Sequence, residues 1–271
     1  MKTMPGFDGS QSSGLLPLDL SVYEAAAERI NLMTFLRSYP IGVPSLITGS
    51  LPMQAPYGDP LVMDVKSPVV ILFIMLMLTL LGLLIGTFYF ILIAQATVED
   101  RVQWKKAVQE WPRSLMQVFG LSLAALLVLI VLLIPSTCIL SFVSMGGISV
   151  SQIGVVVLLG MMIWVLFPLI FTPHGLFASH VNLLTAVQRS MVLTRMTLPN
   201  TALLLFLIFI AGQGLDVLWR VPSENSWLTL VGLAGHAFVA SGLLAASFVY
   251  YRDADRWAQT LIRKASKSAQ V

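Results

Sequence analysis

The feature that most constrains this chain is a stretch of 74 residues, from Leu115 to Gln188, that contains no lysine, arginine, aspartate or glutamate. Soluble domains carry about 25% charged residues, whereas this chain of 271 residues carries 11% and is 57% hydrophobic. A water-soluble fold cannot shield so long an uncharged, apolar stretch. We therefore predict an integral membrane protein and exclude an ordinary soluble enzyme.

The apolar segments predict five membrane-spanning helices. A helix needs about 20 apolar residues to cross a hydrocarbon core of roughly 30 Å. The second span either ends at Pro135 or kinks there and continues to Val143. The five predicted spans are residues 69–94, 115–135, 153–171, 201–219 and 227–251. The fold class that follows is an all-α polytopic transmembrane helix bundle.

Lysine and arginine set the predicted orientation, because cytoplasmic loops carry an excess of them. The connections that follow spans one, two, three and four contain four, zero, two and one lysine or arginine residues, respectively. The C-terminal tail contains five. The basic tail, residues 252–271, is therefore predicted to be cytoplasmic and residues 1–68 extracytoplasmic. No signal sequence leads residues 1–68 across the membrane. Either span one pulls them across, or an upstream helix is missing from this chain and the bundle has six spans; the even number favours the second interpretation.

The segments outside the spans have patterns of their own. Ser21 followed by Glu24 matches a capping box and predicts an amphipathic helix over residues 22–37, lying on the membrane or across the outer loops. The prolines between residues 40 and 68 predict an extended, turn-rich loop. Two more amphipathic helices are predicted on the cytoplasmic side. The one over residues 96–114 rests at the headgroups, and the one over residues 175–196 is interfacial or partly re-entrant.

Two ionisable residues lie within the spans, where they are costly and often functional. Asp216 is near the outer end of span four, and Arg220 follows four residues later, which favours a local ion pair over a proton or cation site. His236 is near the bilayer centre, where an interhelical hydrogen bond is favoured over proton transfer or substrate contact. Depth along the spans indicates Gln213, and not Asp216, as the partner of His236.

Small residues on two spans indicate close helix packing. Gly82 and Gly86 form a G-x-x-x-G pattern on span one, and Gly232 and Gly235 belong to a run of small residues on span five. We interpret both sets as packing sites within the chain. Dimerisation through Gly82 and Gly86 is the alternative.

Patterns that would indicate chemistry are missing from the sequence. His174 and His180 are six residues apart, and so they project on divergent faces of a helix instead of sharing a metal. Cys138 is the single cysteine. No phosphate loop, dinucleotide fingerprint or nucleophile elbow occurs, and no basic run is interleaved with aromatics. We predict no enzyme activity, metal, cofactor or nucleic-acid partner.

The second half of the chain resembles a known family. The run NLLTAVQRSMVLTRM and the ending YYRDADRW are similar to the membrane-domain family associated with glycerophosphodiester phosphodiesterases and to related bacterial multi-span proteins. The resemblance covers roughly residues 150–257 and implies six spans, a bacterial cytoplasmic membrane and a membrane module without the family's separate catalytic domain. The residues that carry the resemblance are Ala186, Arg189, Ser190, Thr194, Tyr250, Tyr251, Arg252 and Asp253.

Two functions fit these patterns. The first is a non-catalytic accessory or scaffold protein of the membrane, in contact with the lipid bilayer and with a second copy or a membrane-complex partner. The second is a small-solute permease or transporter component, with His236 and Asp216 near its pathway.

Overall fold

The computed structural model describes residues 31–37, 40–46, 55–58, 62–65, 67–145 and 151–268. Within these residues the regular structure is helical, apart from an isolated β-bridge between Ala55 and Gly58. A 3-10 helix comes first, at Leu32–Leu36. The α-helices that follow are α1 (Pro68–Val98), α2 (Trp104–Met145), α3 (Ser151–Leu166), α4 (Thr172–Ala178), α5 (Leu183–Met196), α6 (Leu198–Trp219) and α7 (Thr229–Ser268).

Five stretches of the described residues are helical, long and apolar enough to cross a membrane. They confirm the predicted all-α polytopic bundle. Most of their apolar side chains point outward, as expected of helices surrounded by lipid. The stretches are Pro68–Val98, Trp104–Ile139, Val156–Ala178, Leu198–Trp219 and Thr229–Lys267.

The second span is longer than its apolar core. Instead of a separate connector helix over residues 96–114, the helix α2 begins at Trp104 and runs through Pro112 and Pro135 without ending. A proline frees the carbonyl four residues before it, which for Pro135 is the carbonyl of Val131. The hydroxyl groups of Ser136 and Thr137 donate to the next two carbonyls, those of Leu132 and Leu133. This corrects the predicted connector.

The predicted amphipathic helix over residues 175–196 is also corrected, because it is two helices. Pro168 breaks the third span in a 3-10 turn, Phe167–Leu169, and α4 then continues the span to Ala178. A turn separates α4 from α5. His180 ends the first helix there, since its φ of 49° lies in the left-handed region.

The turn between α1 and α2 holds a cluster of charges. Lys106 donates a hydrogen bond to Glu99, and His180 Nε2 lies 3.7 Å from the same carboxylate. The hydrogen bond and the charge of Lys106, with a smaller contribution from His180, lower the pKa of Glu99 from its usual value, more than its partial burial raises it. The cluster ties the α1–α2 turn to the α4–α5 turn at one end of the bundle.

The described residues before α1 enter the bundle, and we name residues 31–37 and 40–46 the inserted segment. Residues 22–30 of the predicted amphipathic helix lie outside the described residues, and Leu32–Leu36 is a 3-10 helix instead of its last α-helical turn. The backbone carbonyls of Leu36 and Ile41 lie against Gly82 and Gly86, at the middle of α1. Ile41 is fully buried. A segment predicted to lie on the surface therefore forms part of the core.

Candidate functional site

A cavity of about 500 Å³ lies between the inserted segment and helices α1, α4, α6 and α7. Ligand sites in proteins are typically about 300–1,000 Å³ and mostly apolar, with a few polar groups. This cavity follows that pattern, since its polar side chains are few among aliphatic and aromatic ones. They are Arg37, Tyr89, His174, Gln213 and Ser247.

Two helical stripes form the apolar wall. On α6 the lining residues include Leu205, Ile208 and Gly212, and on α7 they include Ala240 and Leu244. These positions are three or four residues apart, so they share one face of each helix. Gly212 widens the cavity, because a Cβ added there would meet nothing closer than a Leu243 methyl group at 3.8 Å. Both stripes have helical spacing in the sequence, but that spacing does not distinguish them from positions that contact lipid, and so the cavity was not predicted.

His174 forms part of the inner wall. Its side chain is 7% exposed, and its Nε2 lies 2.8 Å from Ser247 Oγ. The Ser247 hydroxyl also lies 2.7 Å from the Leu244 carbonyl, and so His174, Ser247 and the α7 backbone form one hydrogen-bonded group. His174 is thus a packed, hydrogen-bonded wall residue, and no group of three metal-ligating side chains occurs among the residues that the structure describes.

Asp216 and His236 form a pair between α6 and α7. The His236 Nδ1 and Asp216 Oδ1 atoms are 2.7 Å apart, which corrects the prediction that Asp216 lies too near the surface to reach His236. The two helices are antiparallel, and helical side chains lean toward the N-terminus of their own helix. Asp216 therefore leans into the bundle and His236 leans outward, and they meet at an intermediate depth.

The other predicted partners have different contacts. Arg220 donates to the carbonyl of Leu46 at 2.6 Å instead of forming an ion pair with Asp216, and so it ties the inserted segment to the end of α6. Gln213 lines the cavity and is exposed, while the described partner of His236 is Asp216. The partner of Arg220 differs from the predicted one because the inserted segment reaches the end of α6.

The predicted packing glycines contact backbone and an aromatic ring within the chain. A Cβ at Gly86 would lie 2.8 Å from the Ile41 carbonyl oxygen, and Gly82 faces the Leu36 carbonyl even more closely. This face of α1 is occupied, which leaves no room for the alternative of dimerisation through it. A Cβ at Gly235 would lie 2.5 Å from the Trp219 ring, and Gly232 contacts the Trp219 carbonyl.

Residues of the family-like motif pack around α4 and the Pro168 break, and none of them lines the cavity. Ala186 is buried and packs on Gly175, and Ser190 is fully buried beside the Pro168 break. Arg189 is close enough to Tyr251 and Asp255 of α7 for its positive charge to interact electrostatically with both side chains.

The aromatic and charged end of the motif anchors α7 to its neighbours. The hydroxyl of Tyr251 lies 3.4 Å from Ser179 Oγ, and Arg252 donates to Asp253 and to the Thr97 carbonyl. These contacts are structural.

No protein-family model matches the sequence, and no curated protein or solved structure is significantly similar to it.

Proposed function

We propose that the protein is a non-catalytic membrane module that binds a small molecule inside its helical bundle. The cavity between the inserted segment, α6 and α7 is the single observation that carries this proposal. The distribution of lysine and arginine supports a cytoplasmic C-terminal tail and puts the region before α1, residues 1–68, on the extracytoplasmic side, from which the inserted segment enters the bundle. The family resemblance supports a bacterial cytoplasmic membrane and an accessory role.

The size and shape of the cavity suit an occupant. It is open at the protein surface and is not an enclosed void, so a molecule can enter it, and its volume of about 500 Å³ is within the usual range of ligand sites. Non-helical backbone at membrane depth is tolerated where it is buried in protein or lines a cavity. The inserted segment does both, with Ile41 buried and Pro40, Gly42 and Val43 on the cavity wall. A purely structural scaffold has no need of such a wall.

Filling the cavity tests the proposal. Gly212→Leu places a side chain in the cavity and is expected to displace about one bound probe molecule per protein. The probe is the methyl ester of a spin-labelled stearic acid in phosphatidylcholine vesicles, and electron paramagnetic resonance measures its immobilised fraction. Lipid around any membrane protein is also partly immobilised, so the difference between variants is the quantity of interest.

Gly214→Leu is the matched control. It lies on the same helix, and a Cβ added there meets no atom within 4 Å. The immobilised fraction is expected to match that of the wild-type protein in this variant and to fall in Gly212→Leu. Equal fractions in all three proteins would refute a binding cavity.

The Asp216–His236 pair favours a small-solute permease as a second function. Ionisable residues inside a membrane commonly mark proton or ion pathways. Gln213 and Ala240, which line the cavity, are each within about one helical turn of Asp216 and His236 respectively. The pair therefore lies next to the cavity, as expected of a permease that couples a solute to an ion.

Proton flux distinguishes the two functions. In the permease, liposomes that contain the protein and a pH-sensitive dye take up protons faster than protein-free liposomes under an imposed gradient. Asp216→Asn is expected to reduce the rate to that of protein-free liposomes, while Asp253→Asn, at an exposed carboxylate of the predicted cytoplasmic tail, leaves it unchanged. No uptake by the wild-type protein counts against the permease and leaves the binding module.

A further inference from the structure

Arg37 places a charge at the middle of the bundle. It directly follows Leu36, whose carbonyl contacts Gly82 halfway along α1. Since α1 has 31 residues and rises about 46 Å at roughly 1.5 Å per residue, this level is far from both ends of the helix. The Arg37 side chain is exposed and lines the cavity. An arginine at such a depth is costly and indicates a functional site.

The surroundings of Arg37 within the described part of the chain lack a compensating negative charge. No carboxylate there lies within ion-pair distance of the guanidinium group. Arg37 is also the one formally charged residue among the described residues on the cavity wall. The cavity therefore has a positive electrostatic character that nothing in this part of the chain neutralises, which suits an anion.

The position of Arg37 is held by the backbone. Its N–H donates to the Thr34 carbonyl at 3.0 Å, closing the 3-10 helix. Farther along the inserted segment, Arg220 holds the Leu46 carbonyl. Contacts with α1 on one side and with Arg220, at the end of α6, on the other thus fix the backbone from which the Arg37 side chain extends to the cavity.

The rest of the wall selects an alkyl chain. Leu205, Ile208 and Phe209 of α6 line the cavity together with Leu243 and Leu244 of the neighbouring helix α7. Exposed Gln213 lines the same cavity and offers amide N–H groups to an anionic oxygen. The cavity volume of about 500 Å³ is within the usual range of ligand sites. It suits a small amphiphile or one with a single alkyl chain.

We propose that the cavity binds an anionic amphiphile, with its carboxylate or phosphate group paired to Arg37 and its alkyl chain packed between α6 and α7. The inference rests on the proposed binding function and deepens it by naming the class of ligand. Arginine matches the planar geometry of carboxylate and phosphate groups through two parallel hydrogen bonds. The ionised headgroup of the ligand compensates the positive charge of Arg37. The alkyl chain of the ligand exchanges its contacts with lipid for contacts with the protein.

The test compares an anion with its neutral ester. Spin-labelled stearate, at a pH at which it is ionised, and its methyl ester are each added to the protein in phosphatidylcholine vesicles. Wild-type protein is expected to bind the anion about tenfold more tightly or better, the ratio that one charge-assisted hydrogen bond supplies. Arg37→Gln is expected to abolish the preference while binding of the ester stays unchanged, and Arg37→Lys keeps a preference because it keeps the charge.

The controls separate this inference from the proposed function. Gly212→Leu is expected to reduce the binding of both probes. Gly214→Leu is expected to leave the binding of both probes unchanged. If the wild-type protein binds the two probes equally, or if Arg37→Gln keeps the preference, the anionic class is refuted while the cavity stands. If Gly212→Leu changes neither probe, the binding function itself fails. A melting temperature equal to that of the wild-type protein shows that the Arg37 variants are folded.

The source of the anion is distinguished by competition. When phosphatidylglycerol replaces part of the phosphatidylcholine, displacement of the bound stearate identifies an anionic phospholipid of the membrane as an occupant. Retention of the stearate identifies a free single-chain acid. Both results support an anionic amphiphile at Arg37, provided that Arg37→Gln removes the interaction.

Discussion

Gly82→Leu is expected to displace the inserted segment from α1 and to destabilise the protein by about 3 kcal/mol or more, at the upper end of the cost of overpacking. The neighbour is the backbone carbonyl of Leu36, which cannot move aside as the end of a flexible side chain could. Thermal unfolding in detergent, followed by tryptophan fluorescence, measures the loss. Gly86→Leu acts in the same way, because the Ile41 carbonyl would lie 2.8 Å from its Cβ.

A cysteine reporter shows whether the segment has moved. In a Cys138→Ala background, Ile41→Cys introduces a thiol at a position that is fully buried. A membrane-impermeant maleimide is expected to react with it only when Gly82→Leu is also present. Gly160→Leu serves as the control, since an added Cβ there meets no atom within 4 Å. Rapid labelling of Ile41→Cys in the control would mean that the segment is not held by α1.

Ser190→Ala is the second change for which we expect a large effect, because one hydroxyl group serves two backbone groups at the Pro168 break. Ser190 Oγ donates to the Pro168 carbonyl at 2.7 Å and accepts from the Phe171 N–H at 3.1 Å. The side chain is fully buried. Each buried group left unpaired costs about 1–3 kcal/mol, and we expect a total loss of about 2–4 kcal/mol in an unfolding titration with denaturing detergent.

Ser136→Ala is the matched control for that measurement. Ser136 donates to the carbonyl of Leu132 within its own helix, and no second backbone group depends on it in the described structure. We expect a change within about 0.5 kcal/mol. If the two serine variants unfold alike, Ser190 does not stabilise the break in the third span.

The five spans could be predicted because burial in lipid requires only length and apolar composition. No local pattern could place the inserted segment. The prolines that follow Arg37 exclude a helix and so favour a surface loop, whereas the contact of Leu36 with Gly82 depends on two distant parts of the chain. The G-x-x-x-G pattern indicated that backbone approaches α1 closely, but it did not indicate which backbone.

The cavity and the polar pair were missed for different physical reasons. Membrane helices are apolar on every face, so the stripe through Leu205 and Ile208 does not stand out from the positions that contact lipid. Counting residues from the ends of the spans separated Asp216 from His236, because such a count ignores the lean of side chains along antiparallel helices. Counting residues from the ends of the spans therefore does not predict which side chains of α6 and α7 are in contact.

The inserted segment has a consequence for the order in which the bundle is assembled. The inserted segment leaves the ribosome before α1, yet the groups that hold it belong to later parts of the chain: Gly82 and Gly86 in α1, and Arg220 after α6. Arg220 follows Leu46 by 174 residues. The contacts with α1 can therefore form early in synthesis, whereas the contact with Arg220 can form only after α6 has been made.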